Sequence, residues 1–289
     1  MQRILVTGLA GFTGQHLAAE LATHGWQVHG LGAEVNLCDA AAVHAAVQQV
    51  QPQAVVHLAA IAFVAHGDAD ALYHVNLLGT RHLLAALDAL PKPPRHVLLA
   101  SSANVYGNSQ GGMLDEDAPA QPANDYAVSK LAMEHLARLW SERLPITIVR
   151  PFNYTGRGQS ENFLIAKIVS HVRRHAPTIE LGNLHVARDF SDVRAVAQAY
   201  RRLLNNAAAI GQTVNVCSGQ VHTLHAVLEL AQTLGGHTMA VHVNPTLVRG
   251  SEVRSLCGNP ARLRSLVGAD WATPPLQDTL RWMLESPTP

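Results

Sequence analysis

Apolar runs of strand length alternate with longer stretches of helical period from the start of the chain. Arg3–Thr7, Gln27–Leu31, Ala54–Leu58, His96–Ser101 and Ile146–Arg150 read as strands. Between them, apolar spacing predicts helices near Gly11–His24, Ala40–Val50, Ala69–Leu90 and Asp125–Arg143. Strands and helices in this alternation build right-handed βαβ crossovers and hence an α/β fold with a doubly wound parallel sheet. Ligands of such sheets bind beyond the carboxyl ends of the strands, where Gly8, Leu58 and Ser102 fall.

The texture changes after Pro151. Phe152–Gln159 is a polar, glycine-containing loop, and the later strands (Thr178–Leu181, Thr213–Val216, Met239–Val243) are shorter. Helices are expected near Asn162–Arg174, Val193–Leu204 and Leu224–Leu234. The chain is therefore expected to divide into residues 1–151 and a smaller α/β lobe, 152–289, with some of the second part crossing back to the sheet. Ser286–Pro289 has turn composition and is expected to fray.

A hydrophobic content of 48% against 15% charged residues excludes a disordered chain. Lysine plus arginine (21) equals aspartate plus glutamate (21), so no net field draws the protein to nucleic acid or anionic lipid. No apolar run reaches membrane-spanning length and the first residues enter a strand at once, which makes the cytoplasm the expected compartment. Cys38, Cys217 and Cys257 are odd in number and widely spaced, so each reads as a small buried hydrophobe. His171 and His175 share i, i+4 spacing on a predicted helix, but no acid partners them and no metal site is expected.

The chemistry starts at Gly8, Gly11 and Gly14, directly behind the first strand. Such a turn lets backbone N–H groups approach a pyrophosphate and points the positive end of a helix at it. It can also serve packing alone. Tyr126 and Lys130, four residues apart, share a helix face, where the ammonium is expected to lower the phenol's pKa and fit it for proton transfer. That spacing also recurs by accident on amphipathic helices. Ser102, at the end of a strong strand, can hydrogen-bond a substrate oxygen. The three features in this order point to one catalytic site.

TGLAGFTG, HLAA (57–60), VNLLGT (75–80), SSANVYG, YAVSK, RPFNYTGRGQ, RDFSDV (188–193) and NVCSG (215–219) span nearly the whole chain. With these motifs the chain resembles the extended short-chain dehydrogenase/reductase superfamily, in its nucleotide-sugar branch of epimerases, dehydratases and ketoreductases. The resemblance implies a Rossmann domain that binds NAD(P) and a C-terminal domain that grips a nucleoside diphosphate sugar. It implies Tyr126 as acid/base, Lys130 as its partner and ribose ligand, and Ser102 as the hydroxyl that positions the reacting oxygen. Cofactor contacts are implied at Gly8, Gly11, Phe12, Thr13, Gly14, Asn36, Leu37, Leu58, Ala59, Ala60 and Asn76, beside Tyr126 and Lys130. Substrate contacts are implied at Phe63, Asn104, Asn153, Asn162, Arg188 and Arg249, and the hydride face near Phe63, Val64 and Tyr154. The family's R-P-x-E stands here as Arg249-Gly250-Ser251-Glu252, which departs from pattern. A plainer reading of Arg188-Asp189 is an ion pair capping a helix. The resemblance also implies a homodimer, formed through the helices near Ala69–Leu90 and Asp125–Arg143.

Dehydratases of this branch carry an Asp-Glu pair after the catalytic hydroxyl; Ala103-Asn104 stands there instead, leaving elimination without an acid and a base. Epimerase and 4-ketoreductase remain, and both use the same Ser, Tyr and Lys. The wording of RPFNYTGRGQ, Arg188-Asp189-Phe190 and NVCSG resembles GDP-4-keto-6-deoxy-D-mannose reductases, which implies GDP-D-rhamnose or GDP-6-deoxy-D-talose as product. The alternatives are an NAD-dependent nucleotide-sugar 4-epimerase and a non-catalytic dinucleotide-binding regulator, which would not need the three catalytic side chains. At the end of the second strand, Val28-His29-Gly30-Leu31-Gly32 offers neither an acid for the ribose 2′-OH nor an arginine for a 2′-phosphate. NADP(H) is the expected cofactor, with NAD(H) open.

Overall fold

The structure, a computed structural model, describes residues 2–32, 35–62, 68–107, 112–247 and 254–285. Phe63, Val64, the Arg249 element and the tail Ser286–Pro289 lie outside them. In chain order the strands are β1 (Gln2–Thr7), β2 (Trp26–Gly30), β3 (Ala54–His57), β4 (Val97–Ala100), β5 (Met113–Leu114), β6 (Ile146–Pro151) and β7 (Asn153–Thr155). They continue as β8 (Thr178–Leu181), β9 (Ala187–Asp192), β10 (Thr213–Val216), β11 (Val221–Thr223), β12 (Ala240–Val243) and β13 (Ser255–Gly258). The helices are α1 (Phe12–Thr23), α2 (Ala40–Val50), α3 (Ala69–Tyr73), α4 (Thr80–Asp88) and α5 (Asp125–Arg138). After them come α6 (Leu164–Arg173), α7 (Val193–Leu204), α8 (Leu224–Gly235), α9 (Ala261–Val267) and α10 (Leu276–Leu284).

A parallel sheet of six strands, ordered β10-β6-β4-β3-β1-β2, forms the centre. Its inner strands carry apolar runs, residues 4–6, 54–56, 97–100 and 148–149, because both faces are covered. Successive side chains alternate between those faces. Ile4 and Val6 join Leu17 of α1 and Tyr200 and Leu203 of α7 on one side. Leu5 joins Val43 and Val47 of α2, Leu83 of α4 and Met133 of α5 on the other. The chain returns late to this sheet: β10 pairs with β6, and α7 packs along α1.

The second half adds a smaller sheet, β11-β9-β13-β5, with β7 also paired to β9, and a β12-β8 pair. Ile168 of α6, Val227 of α8, Leu280 of α10 and Phe190 of β9 share a separate core. No helix among the described residues is long and apolar enough to cross a membrane.

Several expectations change. The helix expected over Ala69–Leu90 is α3 and α4 joined by a π-helical turn, His74–Gly79, and ends at Asp88. α5 stops at Arg138 rather than Arg143. His175 lies beyond α6 with φ of 52°, so it does not share a helix face with His171. Arg188 and Asp189 lie inside β9 rather than at a helix end, and the acid capping α7 is Asp192, which accepts the Arg194 N–H at 2.8 Å. Cys217 and Cys257 are buried, whereas Cys38 is half-exposed.

Candidate active site

The turn behind β1 is built by what its glycines lack. Gly8 has φ of +71°, and a Cβ there would stand 2.9 Å from the Ala59 nitrogen. A Cβ on Gly14 would stand 2.3 Å from the Gly8 carbonyl oxygen. Gly11 donates to that oxygen at 3.0 Å and begins α1, whose first turn has neither a capping side chain nor an acid. Its N–H groups and positive dipole end are therefore left for an anion.

A chain of hydrogen bonds, each with its direction fixed, ties this turn to the neighbouring strand ends. Ala59 N–H donates to Thr7 Oγ1 at 3.1 Å. Thr80 Oγ1 donates to the Asn76 carbonyl at 2.7 Å, so it must accept from His57 Nε2 at 2.9 Å. His57 Nδ1 then accepts from Thr7 Oγ1 at 2.7 Å. Burial first, and the nearby Lys130 ammonium second, hold the His57 pKa down at about 3, so the ring is neutral. Asn76, on the π-helical turn, receives Ile61 N–H at 2.9 Å and donates to Ser129 Oγ at 3.0 Å. Ser129 passes its own proton to the Tyr126 carbonyl at 2.8 Å. Leu58, Ala59 and Ala60, half-buried at the end of β3, are thus held between the glycine turn and α5.

Asn124 caps α5 by accepting Ala127 N–H at 2.9 Å and so fixes the start of the helix that carries Tyr126 and Lys130. Ser102 Oγ accepts from both N and Nδ2 of Asn104, each at 3.1 Å. Both acceptor positions are then used, and the hydroxyl lies close enough to the Tyr126 phenol to favour its ionised form. The phenol keeps its own proton free to give away. Burial pushes the Tyr126 pKa up to about 12, helped by Tyr154 and opposed by Ser102. Lys130 is lowered to about 8 by burial, with Glu134 acting the other way, and its Nζ donates to the Ala100 carbonyl at 2.8 Å. The expected lowering of the phenol by Lys130 is thus not what the protein alone displays: burial governs the shift, Lys130 is not among the groups that set it, and the phenol is neutral.

Thr13 Oγ1 lies 2.8 Å from Tyr154 Oη, and Phe12 stacks on the Tyr154 ring with centroids 6.1 Å apart. Asn36, an expected cofactor contact, is exposed and accepts Cys38 N–H at 2.9 Å; Leu37 beside it is buried. Asn153 Nδ2 reaches the Asp189 carbonyl at 3.5 Å, which brings it beside β9 and the half-buried Arg188. Asp189 is fully buried and accepts from Ser218 N and Oγ and from Gly219 N at 2.6–2.8 Å, which pins the β10–β11 loop next to Arg188. Asn162 sits on an exposed turn ahead of α6, its N–H on Ser160 Oγ, and shares no described hydrogen bond with these residues.

The sequence reading missed His57 with Thr7 and Thr80 as a relay, and Glu134 and Tyr200 altogether. A histidine and a threonine ending otherwise apolar strands were the available signal for the relay. Tyr200 is completely buried with an unpaired hydroxyl that senses the phenols of Tyr126 and Tyr154. An orphaned buried donor beside the site, an uncapped helix end and a turn that a Cβ would fill all fit a bound dinucleotide.

The fold and this site define a dinucleotide-binding α/β protein with a buried tyrosine, a lysine and a serine beside the strand ends. The sequence pattern of the NAD dependent epimerase/dehydratase family matches residues 4–217, and the chain belongs to that family of enzymes. It is 34% identical to a GDP-6-deoxy-D-talose 4-dehydrogenase of Aggregatibacter actinomycetemcomitans, over 93% of this chain and 92% of that one. It is 36% identical to a GDP-6-deoxy-D-mannose reductase of Pseudomonas aeruginosa, over 92% of this chain and 91% of the relative. The solved structure of RMD from Pseudomonas aeruginosa complexed with NADPH superposes with a TM-score of 0.89, at 33% identity and 98% coverage of both chains.

Proposed function

We propose that the protein is an NADPH-dependent 4-ketoreductase that converts GDP-4-keto-6-deoxy-D-mannose to GDP-D-rhamnose or GDP-6-deoxy-D-talose. The observation that carries this reading is the likeness over nine-tenths of the chain to two proteins named for redox chemistry on GDP-6-deoxyhexoses. When bound, the nicotinamide supplies the hydride for the carbonyl carbon. Tyr126 gives its free proton to the oxygen that gains charge, and Ser102 orients that oxygen. The Lys130 ammonium stabilises the phenolate left behind. Asn104, where a carboxylate would be needed to eliminate water, supports reduction over dehydration. Arg188 and Asn153 are the groups we assign to the diphosphate.

Residues 1–151 would serve the cofactor and 152–289 mainly the sugar nucleotide. Exposed Leu78, Val128 and Leu139 lie on or beside the π-helical turn and α5, which supports a homodimer through this face. Dependence on NADPH fits a cytoplasmic enzyme.

The test is absorbance of NADPH and NADH with GDP-4-keto-6-deoxy-D-mannose. Stoichiometric cofactor oxidation is expected, with product NMR giving the C4 configuration. No oxidation with any 4-keto sugar nucleotide, and NAD retained through purification, would move the assignment to a 4-epimerase. Tyr126→Phe is expected to lower turnover by about 10²–10⁴-fold while cofactor binding persists.

A further inference from the structure

Glu134 stands one helical turn beyond Lys130, on the same face of α5, and is completely buried. Its carboxylate takes two guanidinium bonds from Arg150 of β6, Nε at 2.9 Å and Nη2 at 2.6 Å, and a third bond from Ser101 Oγ. Arg150, itself buried, also donates to Tyr106 Oη at 3.0 Å and to the Glu116 carbonyl at 3.2 Å. The network therefore grips the end of β4 at Ser101, next to Ser102, and the 3₁₀ turn Ala103–Tyr106 that follows it.

Two charges taken out of water gain little stability over an apolar pair of the same volume, so an ion pair kept here calls for a further use. Lys130 holds the neighbouring residue, its Nζ donating to the Ala100 carbonyl next to the Ser101 that Glu134 holds. The titratable and charged groups around Lys130 are Tyr126 and Glu134 on α5, the neutral His57 on β3 and Arg150 on β6. Among them Glu134 is the anion that opposes the cost of burying the ammonium.

We propose that Glu134, oriented by Arg150, is a positioning residue that keeps Lys130 protonated at the pH where Tyr126 must release its proton. This rests on the acid–base reading of Tyr126 and Lys130 given above. E134Q keeps the shape and the Oε1 acceptor shared by Ser101 and Arg150 Nε, and removes the charge together with the acceptor for Arg150 Nη2. E134Q/R150M removes the guanidinium as well, so that Arg150 is not left as an unpaired buried cation.

The chain has three lysines, Lys92, Lys130 and Lys167, so the Cε resonances of ¹³C-lysine-labelled full-length protein can be followed one by one through a pH titration. In the wild type Lys130 should titrate at about 8. In both variants its midpoint should fall by about one pH unit, which at pH 8 leaves roughly one fifth of the charged form. The alkaline limb of kcat should move down with it. A merely structural pair would lower kcat evenly at every pH and leave the Lys130 midpoint where it was. That outcome, in a variant whose Lys92 and Lys167 signals are unchanged, overturns the proposal. If E134Q does not fold, the double variant decides. Because the titration needs no turnover, failure to reduce a 4-keto sugar would count against the proposed reaction and leave this inference standing.

Discussion

Proton bookkeeping at single residues explains much of this site. Asn104 occupies both acceptor positions of Ser102, which leaves the serine's proton for the nearby Tyr126 oxygen and, on the proposed reading, the phenol's own proton for the substrate. The same logic makes His57 a fixed neutral tautomer, donating at Nε2 and accepting at Nδ1. That arrangement has a stability consequence with a definite sign. The folded His57 pKa is about 3, below its usual 6.5, so the unfolded chain binds this proton more tightly. Stability from this residue is present above about pH 6.5 and is lost as pH falls towards 3, by up to about 1.4 kcal/mol per unit. His57→Gln retains a donor and an acceptor and cannot titrate. Between pH 7 and 4.5 the wild type should lose about 2–3 kcal/mol more than His57→Gln in urea unfolding. Equal losses would mean that the ring does not stay neutral in the fold.

Among the elements, the start of α1 is the most tightly determined. Gly14→Ala would put a methyl 2.3 Å from the Gly8 oxygen and 2.6 Å from the Leu9 oxygen, both backbone atoms with nowhere to retreat. Gly11→Ala meets the Gly8 oxygen only at 3.2 Å and with a negative φ. We expect Gly14→Ala to weaken NADPH binding at least about tenfold, and Gly11→Ala much less, in a fluorescence titration. Comparable losses in the two variants would refute the steric account. This turn was legible in the sequence because steric demand writes itself as glycine. So were β1, β3 and β4, whose burial on both faces writes itself as unbroken apolar runs. By contrast β9, Ala-Arg-Asp-Phe-Ser-Asp, is polar at alternate and adjacent positions, because Asp189 is satisfied by the Ser218–Gly219 backbone rather than by water. No local pattern announces such a partner. The π-helical turn was equally hidden, since one widened turn shifts the apolar spacing too little to read. Glu134 was readable as the next turn after Tyr126 and Lys130, but its partner Arg150 is adjacent only in the fold.

At the scale of the molecule, the two halves are fastened at several points. Tyr154 holds Thr13, and His16 Nε2 lies 2.8 Å from the Arg157 carbonyl. The His16 ring meets Trp282 edge-on at 5.9 Å, and the Arg157 and Arg194 guanidinium groups cover that indole at 4.9 and 3.7 Å. More decisive is the return of the chain after the second lobe has begun. β10 supplies an outer strand of the first sheet. α7 covers the face formed by Ile4, Val6, Leu98 and Val149 with Val196, Tyr200 and Leu203, all of them fully buried. A fragment ending at Pro151 would expose that face and leave β6 as a bare apolar edge, a combination that favours aggregation over folding. A boundary at Pro151 therefore falls inside the folding unit. Residues 1–151 expressed alone should give a poorly dispersed amide spectrum and no NADPH binding, whereas the whole chain should melt in one cooperative transition. A dispersed spectrum from the fragment would mean that the returning α7 and β10 are accessories to a core that closes without them.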